Sequence, residues 1–341
     1  KWGNKEQTNT SQSLSSAYEE LYLWDNSLTY DKVFGKHKLN AMIGTSYQEY
    51  KKEWMSAAGT GRASEMTTEL DNATKATDVG GNSYSWALMS YMGRVHYSYD
   101  NRYFLTATFR ADGSSKFGAD NRWAVFPAFS LGWRIKNEPF LENVDFLSDL
   151  KLRFSWGRNG NSAIPSGYLQ SSYVADYNGT SYAMNGQESG SLQSGFRKYL
   201  TGNSTLKWET VTQTNYGIDF GFFNQSLVGT IDYFYKKTTD MLYNYRVSVP
   251  PFTYNTLLAN IGSMRNSGTE ISVGITPLKT KDMELNINAN ITFQKNKLLS
   301  LNGMYNGEYI SASEYTVIAG LDGAGFHGGY NNIVYQIVGQ P

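Results

Sequence analysis

Apolar and polar residues alternate with a period of two along much of the chain. The pattern is plainest between Glu284 and Gln294, where Leu285, Ile287, Ala289 and Ile291 interleave with Asn286, Asn288 and Asn290. That spacing predicts a strand with one apolar and one amide-rich face. The stretch from Arg102 to Asp112 repeats it: Tyr103, Leu105, Ala107 and Phe109 are set against Arg102, Thr106, Thr108, Arg110 and Asp112, while Phe104 falls among the polar positions. Ten strands are predicted, at roughly 18–34, 38–54, 85–99, 102–113, 123–136, 150–160, 207–223, 226–238, 263–277 and 283–296, with ends good to about 2–4 residues. Each is near the length that crosses a bilayer at a tilt.

The predicted connections alternate in length. Short turns fall at Gly35-Lys36-His37, Asp100-Asn101, Asn224-Gln225 and Pro277 to Asp282, and long, polar connections near 55–84, 161–206, 239–262 and beyond 297. A soluble sandwich has no reason for this asymmetry. A transmembrane barrel does, with short periplasmic turns and long extracellular loops. The 114–122 connection is short for such a loop and 137–149 long for such a turn. Tyr97, Tyr99 and Tyr103 flank one short turn and Phe220, Phe222 and Phe223 precede another, as in the aromatic girdles of barrels. Nothing divides the chain, so 1–341 reads as part of one barrel domain, with 161–206 as a long extracellular excursion.

Composition agrees with an all-β, antiparallel transmembrane barrel. Aromatic residues reach 15%, with 26 Tyr and 33 Gly, which suits pleated surfaces and turns. A mean hydropathy of −0.47 and the lack of a long apolar run exclude spanning helices but not strands, in which only every second residue faces lipid. The 30 basic and 30 acidic residues balance, which argues against nucleic acid as a partner. Without cysteine there is no thiol nucleophile or disulfide. The chain starts at Lys1 and stops at Pro341 in mid-pattern, as expected for a fragment of about ten strands from a larger barrel.

Several segments, in order, resemble the SusC-like (RagA-type) TonB-dependent transporters of the Gram-negative outer membrane. They are Arg110 to Gly118 (RADGSSKFG), Phe126 to Arg134 (FPAFSLGWR), Leu150 to Asn161 (LKLRFSWGRNGN), Leu206 to Glu209 (LKWE), Tyr216 to Gly221 (YGIDFG), Asp232 to Leu242 (DYFYKKTTDML) and Asn260 to Glu270 (NIGSMRNSGTE). The resemblance covers roughly residues 20 to 341. It implies a plugged barrel of about 22 strands that imports an oligomeric nutrient, a glycan before a peptide. It also implies a SusD-like surface lipoprotein as lid, and energy from the TonB complex through an N-terminal region beyond this chain. The alternative is a passive or adhesive ligand-binding barrel. An enzyme is not expected.

Candidate chemistry is sparse. Asp112-Gly113-Ser114-Ser115 with Asp120 and Asn121 carries oxygen ligands but not the twelve-residue calcium spacing, so a turn is the better reading and no metal is expected. His37, His96 and His327 lack paired-ligand spacing. Glu209 and Asp219 are not placed as a glycosidase pair, and no cofactor motif occurs. Glycines 157, 160, 217 and 221 read as thin places in the wall or turn residues. Tyr168, Tyr173, Tyr177 and Tyr182 are the candidate contacts: they could stack on sugar rings, meet a lid protein, or pack their own loop.

Overall fold

The structure, a computed structural model, describes residues 11–61, 69–176, 182–183, 192–193, 195–250, 252, 254–311, 315–321 and 331–337. The strands are β1 (Ser11–Phe34), β2 (His37–Thr60), β3 (Lys75–Tyr99), β4 (Tyr103–Ser114), β5 (Trp123–Arg134) and β6 (Leu147–Asn161). The short β7 (Ser172–Asp176), β8 (Tyr182–Ala183), β9 (Leu192–Gln193) and β10 (Gly195–Leu200) come next. Then follow β11 (Glu209–Phe222), β12 (Leu227–Arg246), β13 (Thr256–Lys279), β14 (Glu284–Ser300), β15 (Asn302–Tyr305), β16 (Glu308–Ser311), β17 (Tyr315–Leu321) and β18 (Asn331–Ile337). One antiparallel ten-stranded sheet has the order β1-β2-β3-β4-β5-β6-β11-β12-β13-β14, and the short strands pair among themselves. Among the described residues the only helical pieces are three 3-10 turns of three residues.

All ten predicted strands are present, and five run further at the end with long connections. β2 continues to Thr60 and β3 begins at Lys75, so the expected 55–84 connection shrinks to 61–74. The expected 239–262 connection shrinks to 247–255, because β12 runs to Arg246 and β13 starts at Thr256. The β3 extension carries little alternation, whereas those of β12 and β13 alternate and bury Tyr245, Leu257 and Ala259.

The described residues fall into two compact units, one from 1–25 with 46–89 and the other from 26–45 with 90–341. In the first, the Tyr50 ring lies 5.6 Å from Trp86 and 5.9 Å from Tyr84, and Lys52 pairs with Glu19 at 2.5 Å.

In the second unit the register separates two faces. Leu105, Leu131, Phe154, Tyr216 and Tyr233 stand directly opposite one another on successive strands, and one pair further Ile218, Ile231, Ile271 and Ile291 do the same. Opposed residues share a face. Ile275–Ile287 and Val273–Ala289 continue this apolar face, and Gly274–Asn288 and Ser272–Asn290 the polar one.

Phe104 is the exception, and its surroundings explain it. Its partner is Gly132, and Lys151 Nζ and Arg134 Cζ lie 5.3 and 5.7 Å from its ring, close enough for cation–π attraction. A Cβ on Gly132 would meet the Phe104 side chain at 3.4 Å. Ring against glycine recurs: Phe234 covers Gly268, Phe220 covers Gly229 and Trp123 covers Gly113, each across one register pair. A ring laid over a glycine fills the gap left by the absent side chain.

The turns at Gly35 and at Asp100-Asn101 use left-handed backbone, as tight hairpins require. Charges tie the second of these to its neighbours. Asp100 accepts from Lys36 Nζ (2.9 Å) and from Arg102, which also reaches Glu138 at 3.1 Å. Glu138 accepts from the Tyr103 hydroxyl (2.6 Å) and Trp133 Nε1 (3.0 Å). Beside it a belt of rings runs Phe34–His37–Tyr99–Tyr103–Trp133, with centroids 4.9–6.5 Å apart. Phe146, Phe222 and Phe223 continue the aromatic theme at the β11 turn.

Candidate functional site

The polar face is built around Arg153. One row of direct partners crosses seven strands as Phe104, Gly132, Arg153, Gly217, Asp232, Glu270 and Thr292, so Arg153 has a glycine on each side. Its guanidinium uses that room. It donates to both oxygens of Asp219 at 2.7–2.9 Å and reaches Asp232 at 3.0 Å, tying β6, β11 and β12 together by charge-assisted bonds. A Cβ on Gly217 would stand 2.6 Å from Asp232 Oδ1 and 2.7 Å from Arg153 Cζ. Gly217 is therefore a seat for the guanidinium, not a thin place in the wall. Gly160 is likewise covered by the Phe126 ring, Gly221 by the Gln225 amide and Gly157 by Ala128. Arg134–Asp149 (3.4 Å) and Arg110–Asp112 (2.7 Å) are further pairs on this face. Asp219 and Asp232 are thus engaged by an arginine and not poised as acid and base.

A second cluster lies where the long connections start. Phe117 and Leu206 are fully buried, and Trp208 and Phe126 nearly so. The Trp208 ring centroid is 5.1 Å from Phe117 and 5.5 Å from Phe126, and its Nε1 donates to the Arg122 carbonyl at 3.1 Å. Asn260 Nδ2 donates to the carbonyls of Lys207 (2.8 Å) and Asp240 (2.9 Å), and its Oδ1 accepts from Lys207 N. Lys207 Nζ pairs with Asp240 at 2.8 Å, and Glu209 accepts from Leu242 N. Five motifs spread along the sequence, at 110–118, 126–134, 206–209, 232–242 and 260–270, thus converge on one structural clasp. The short 114–122 connection is short because it is the inner part of that clasp. A neighbouring core of Tyr245, Leu257, Ala259 and Ile310 is equally buried.

Three of the candidate tyrosines lie among the described residues, each on a different element. Tyr168 is half-buried in the turn after β6, its carbonyl accepting from Asn203 N at 2.8 Å. Tyr173 is 61% exposed on β7, opposite Lys198 of β10. Tyr182 starts β8 opposite Gln193. Tyr177 lies outside the described residues, as does His327. His37 and His96 bond Tyr97 and Thr106. The Asp112 carboxylate is held by Arg110 Nε, and Ser114 Oγ accepts from Lys116 N, as a turn requires. Among the described residues no group of three or more His, Cys, Asp or Glu side chains is placed to hold a metal ion.

The family model described as TonB dependent receptor-like, beta-barrel matches residues 2–340. The TonB-dependent receptor SusC of Bacteroides thetaiotaomicron is 34% identical over 281 residues, which cover 82% of this chain and 27% of that protein. The TonB-dependent receptor P39 of Formosa agariphila is 33% identical over 294 residues, covering 84% and 27%. Among solved structures, the RagAB peptide transporter superposes with a TM-score of 0.78 at 24% identity, over 97% of this chain and 34% of that one. The chain spans about a quarter of the length of the curated relatives it matches.

Proposed function

The chain belongs to the TonB-dependent receptor-like β-barrel family of the Gram-negative outer membrane, and from that premise we propose that it forms wall and loop platform of an importer for an oligomeric nutrient. Its apolar face then meets lipid and its polar face the lumen. We infer a neutral, hydrogen-bonding cargo, a glycan before a peptide.

One observation carries the choice: aspartates of the polar face are held by arginines, as in Arg153–Asp219–Asp232, Arg134–Asp149 and Arg110–Asp112. Amides and hydroxyls such as Gln213, Asn215, Asn288, Asn290, Ser130 and Thr108 supply much of the remaining polar surface, beside charges of both signs at Lys151, Lys236 and Glu270. Such a wall offers hydrogen bonds without a dominant sign of charge. A peptide cargo is the second reading, favoured by the fold shared with the RagAB peptide transporter.

A SusD-like lipoprotein lid over the 161–206 excursion and energy from TonB through an N-terminal region complete the proposal. Tyr168, Tyr173, Tyr177 and Tyr182 are proposed contacts for cargo or lid. The test compares uptake of labelled oligosaccharides and peptides by cells carrying the intact gene, its deletion, or a form without the TonB-contacting segment. Oligosaccharide uptake is expected in the first strain only. Equal uptake of every cargo in all three would overturn import and favour a passive or adhesive barrel.

A further inference from the structure

Toward the long connections the apolar face of the second unit changes character. Lys237, Arg265 and Lys297 are direct partners on β12, β13 and β14. Thr212 faces Lys237 from β11 and Arg158 faces Thr212 from β6, so a single row across five adjacent strands holds four cations. Lys295 stands one pair below, opposite Ser267. Like charges placed directly opposite repel, and none of these five side chains has an acidic partner among the described residues. A row that costs stability and has no internal counter-charge points to a counter-charge from outside the chain.

Its height identifies the source. Leu227, beside the short turn, and Lys237 are separated by ten residues of one strand, about 33 Å of extended chain. At the roughly 40° tilt of such barrels that is about 25 Å of height, the full thickness of the apolar band. Lys237 therefore sits at the headgroup level of the outer leaflet, with Arg265 and Lys297 within about 6 Å of that height, two strand spacings away. Below them, on the same face, lies an apolar groove of about 830 Å³ lined by residues including Leu131, Leu152, Phe154, Ile218 and Tyr233. Phe154 and Tyr233 each stand four residues below a cation, Arg158 and Lys237, on the same strand.

We propose that this row and groove bind a phosphorylated lipid of the outer leaflet, with phosphate on Lys237, Arg265 and Lys297 and acyl chains along the groove. Guanidinium and ammonium groups at a membrane surface attract lipid phosphate, and Arg adds bidentate geometry. Phosphate between the three cations removes their mutual repulsion.

The experiment uses the complete protein purified in neutral detergent and counts bound lipid by native mass spectrometry. It is offered phosphate-bearing lipid A, the same lipid without phosphate, and inorganic phosphate as competitor. The phosphorylated lipid is expected to be preferred, by about fivefold for each cation it engages and so roughly a hundredfold in all. Lys237→Gln/Arg265→Gln/Lys297→Gln should abolish that preference, whereas Lys236→Gln on the opposite face should keep it. Equal retention of the two lipids, or a triple variant binding like the parent, overturns the proposal. Complete displacement of the lipid by inorganic phosphate overturns it too, by reassigning the row to a free anion. If the triple variant does not fold, Arg265→Gln alone decides: about a fivefold fall supports the site and no change removes it.

Discussion

At the short-turn end the chain reverses in a few residues, and what joins one hairpin to the next is polar and aromatic: the Lys36–Asp100–Arg102–Glu138 network, in which Glu138 is buried, and a belt of half-exposed rings. At the other end the strands run on beyond the apolar band and bury Phe117, Leu206 and Trp208 beneath a connection of only eight residues between β4 and β5. The first end needs only to be closed and anchored at a membrane boundary. The second must hold long connections in place above it. A small charged network and half-exposed rings suffice for the one. A platform for loops needs dry packing, because loops supply little cohesion of their own.

The contrast is most easily broken at the clasp. In the complete protein, Phe117→Ala should cost about 3–5 kcal/mol, as for a fully buried ring, while Phe146→Ala in the ring belt should cost only about 0.5–1.5 kcal/mol. Urea titrations of the barrel in lipid measure both; equal losses would erase the distinction between the ends.

The next largest effect lies between them. Ile231→Arg, in the middle of the apolar face, should cost about 2–4 kcal/mol, and Ile287→Arg, level with Leu227 near the short turn, about 0–1 kcal/mol. The same titrations on Asn288→Arg, on the polar face, should show almost no loss. A flat profile across these three positions would mean that the faces or the depth have been assigned wrongly.

The smallest effect sharpens the short-turn end by pH. The Tyr103 and Trp133 hydrogen bonds, then Arg102, hold the Glu138 carboxyl below its ordinary range. A lowered folded pKa means that the stabilisation is present above the ordinary carboxylate range and is lost as pH falls through it and below. Glu138→Gln should therefore flatten the decline in heat stability below about pH 4.5. A parallel decline in variant and parent would show that Glu138 contributes nothing to it.

Period-two alternation made the ten strands and their faces legible, because lipid on one side and water on the other impose a choice at every residue. The extension at Lys75 to Tyr84 was hidden because its residues alternate little, and the one at Met241 to Arg246 because the partners of its buried Tyr245, Leu257 and Ile310, are distant in sequence. Phe104 was legible as an exception, but Gly132, Lys151 and Arg134, which accommodate it, are distant in sequence and meet only through register. The motifs at Phe117, Trp208, Asp240 and Asn260 announced a family without announcing that they touch. The basic row was invisible, since Arg158, Lys237, Arg265 and Lys297 look like scattered surface charges until β6 and β11 to β14 are aligned. The tyrosines of 161–206 remain candidates on composition and placement alone.

The rings laid over glycines carry a consequence for descent. At Trp123–Gly113 and Phe126–Gly160 the three atoms nearest to where a Cβ on the glycine would stand all belong to the ring, so neither position is free to drift by itself. A larger residue at the glycine becomes tolerable only after the ring has gone, and loss of the ring leaves a gap that a side chain at the glycine can fill. In an alignment of relatives these pairs should therefore change together, glycine yielding to a side chain where the aromatic yields to a small residue. Those paired exchanges would record the register of the wall in the history of the sequences, independently of any coordinates.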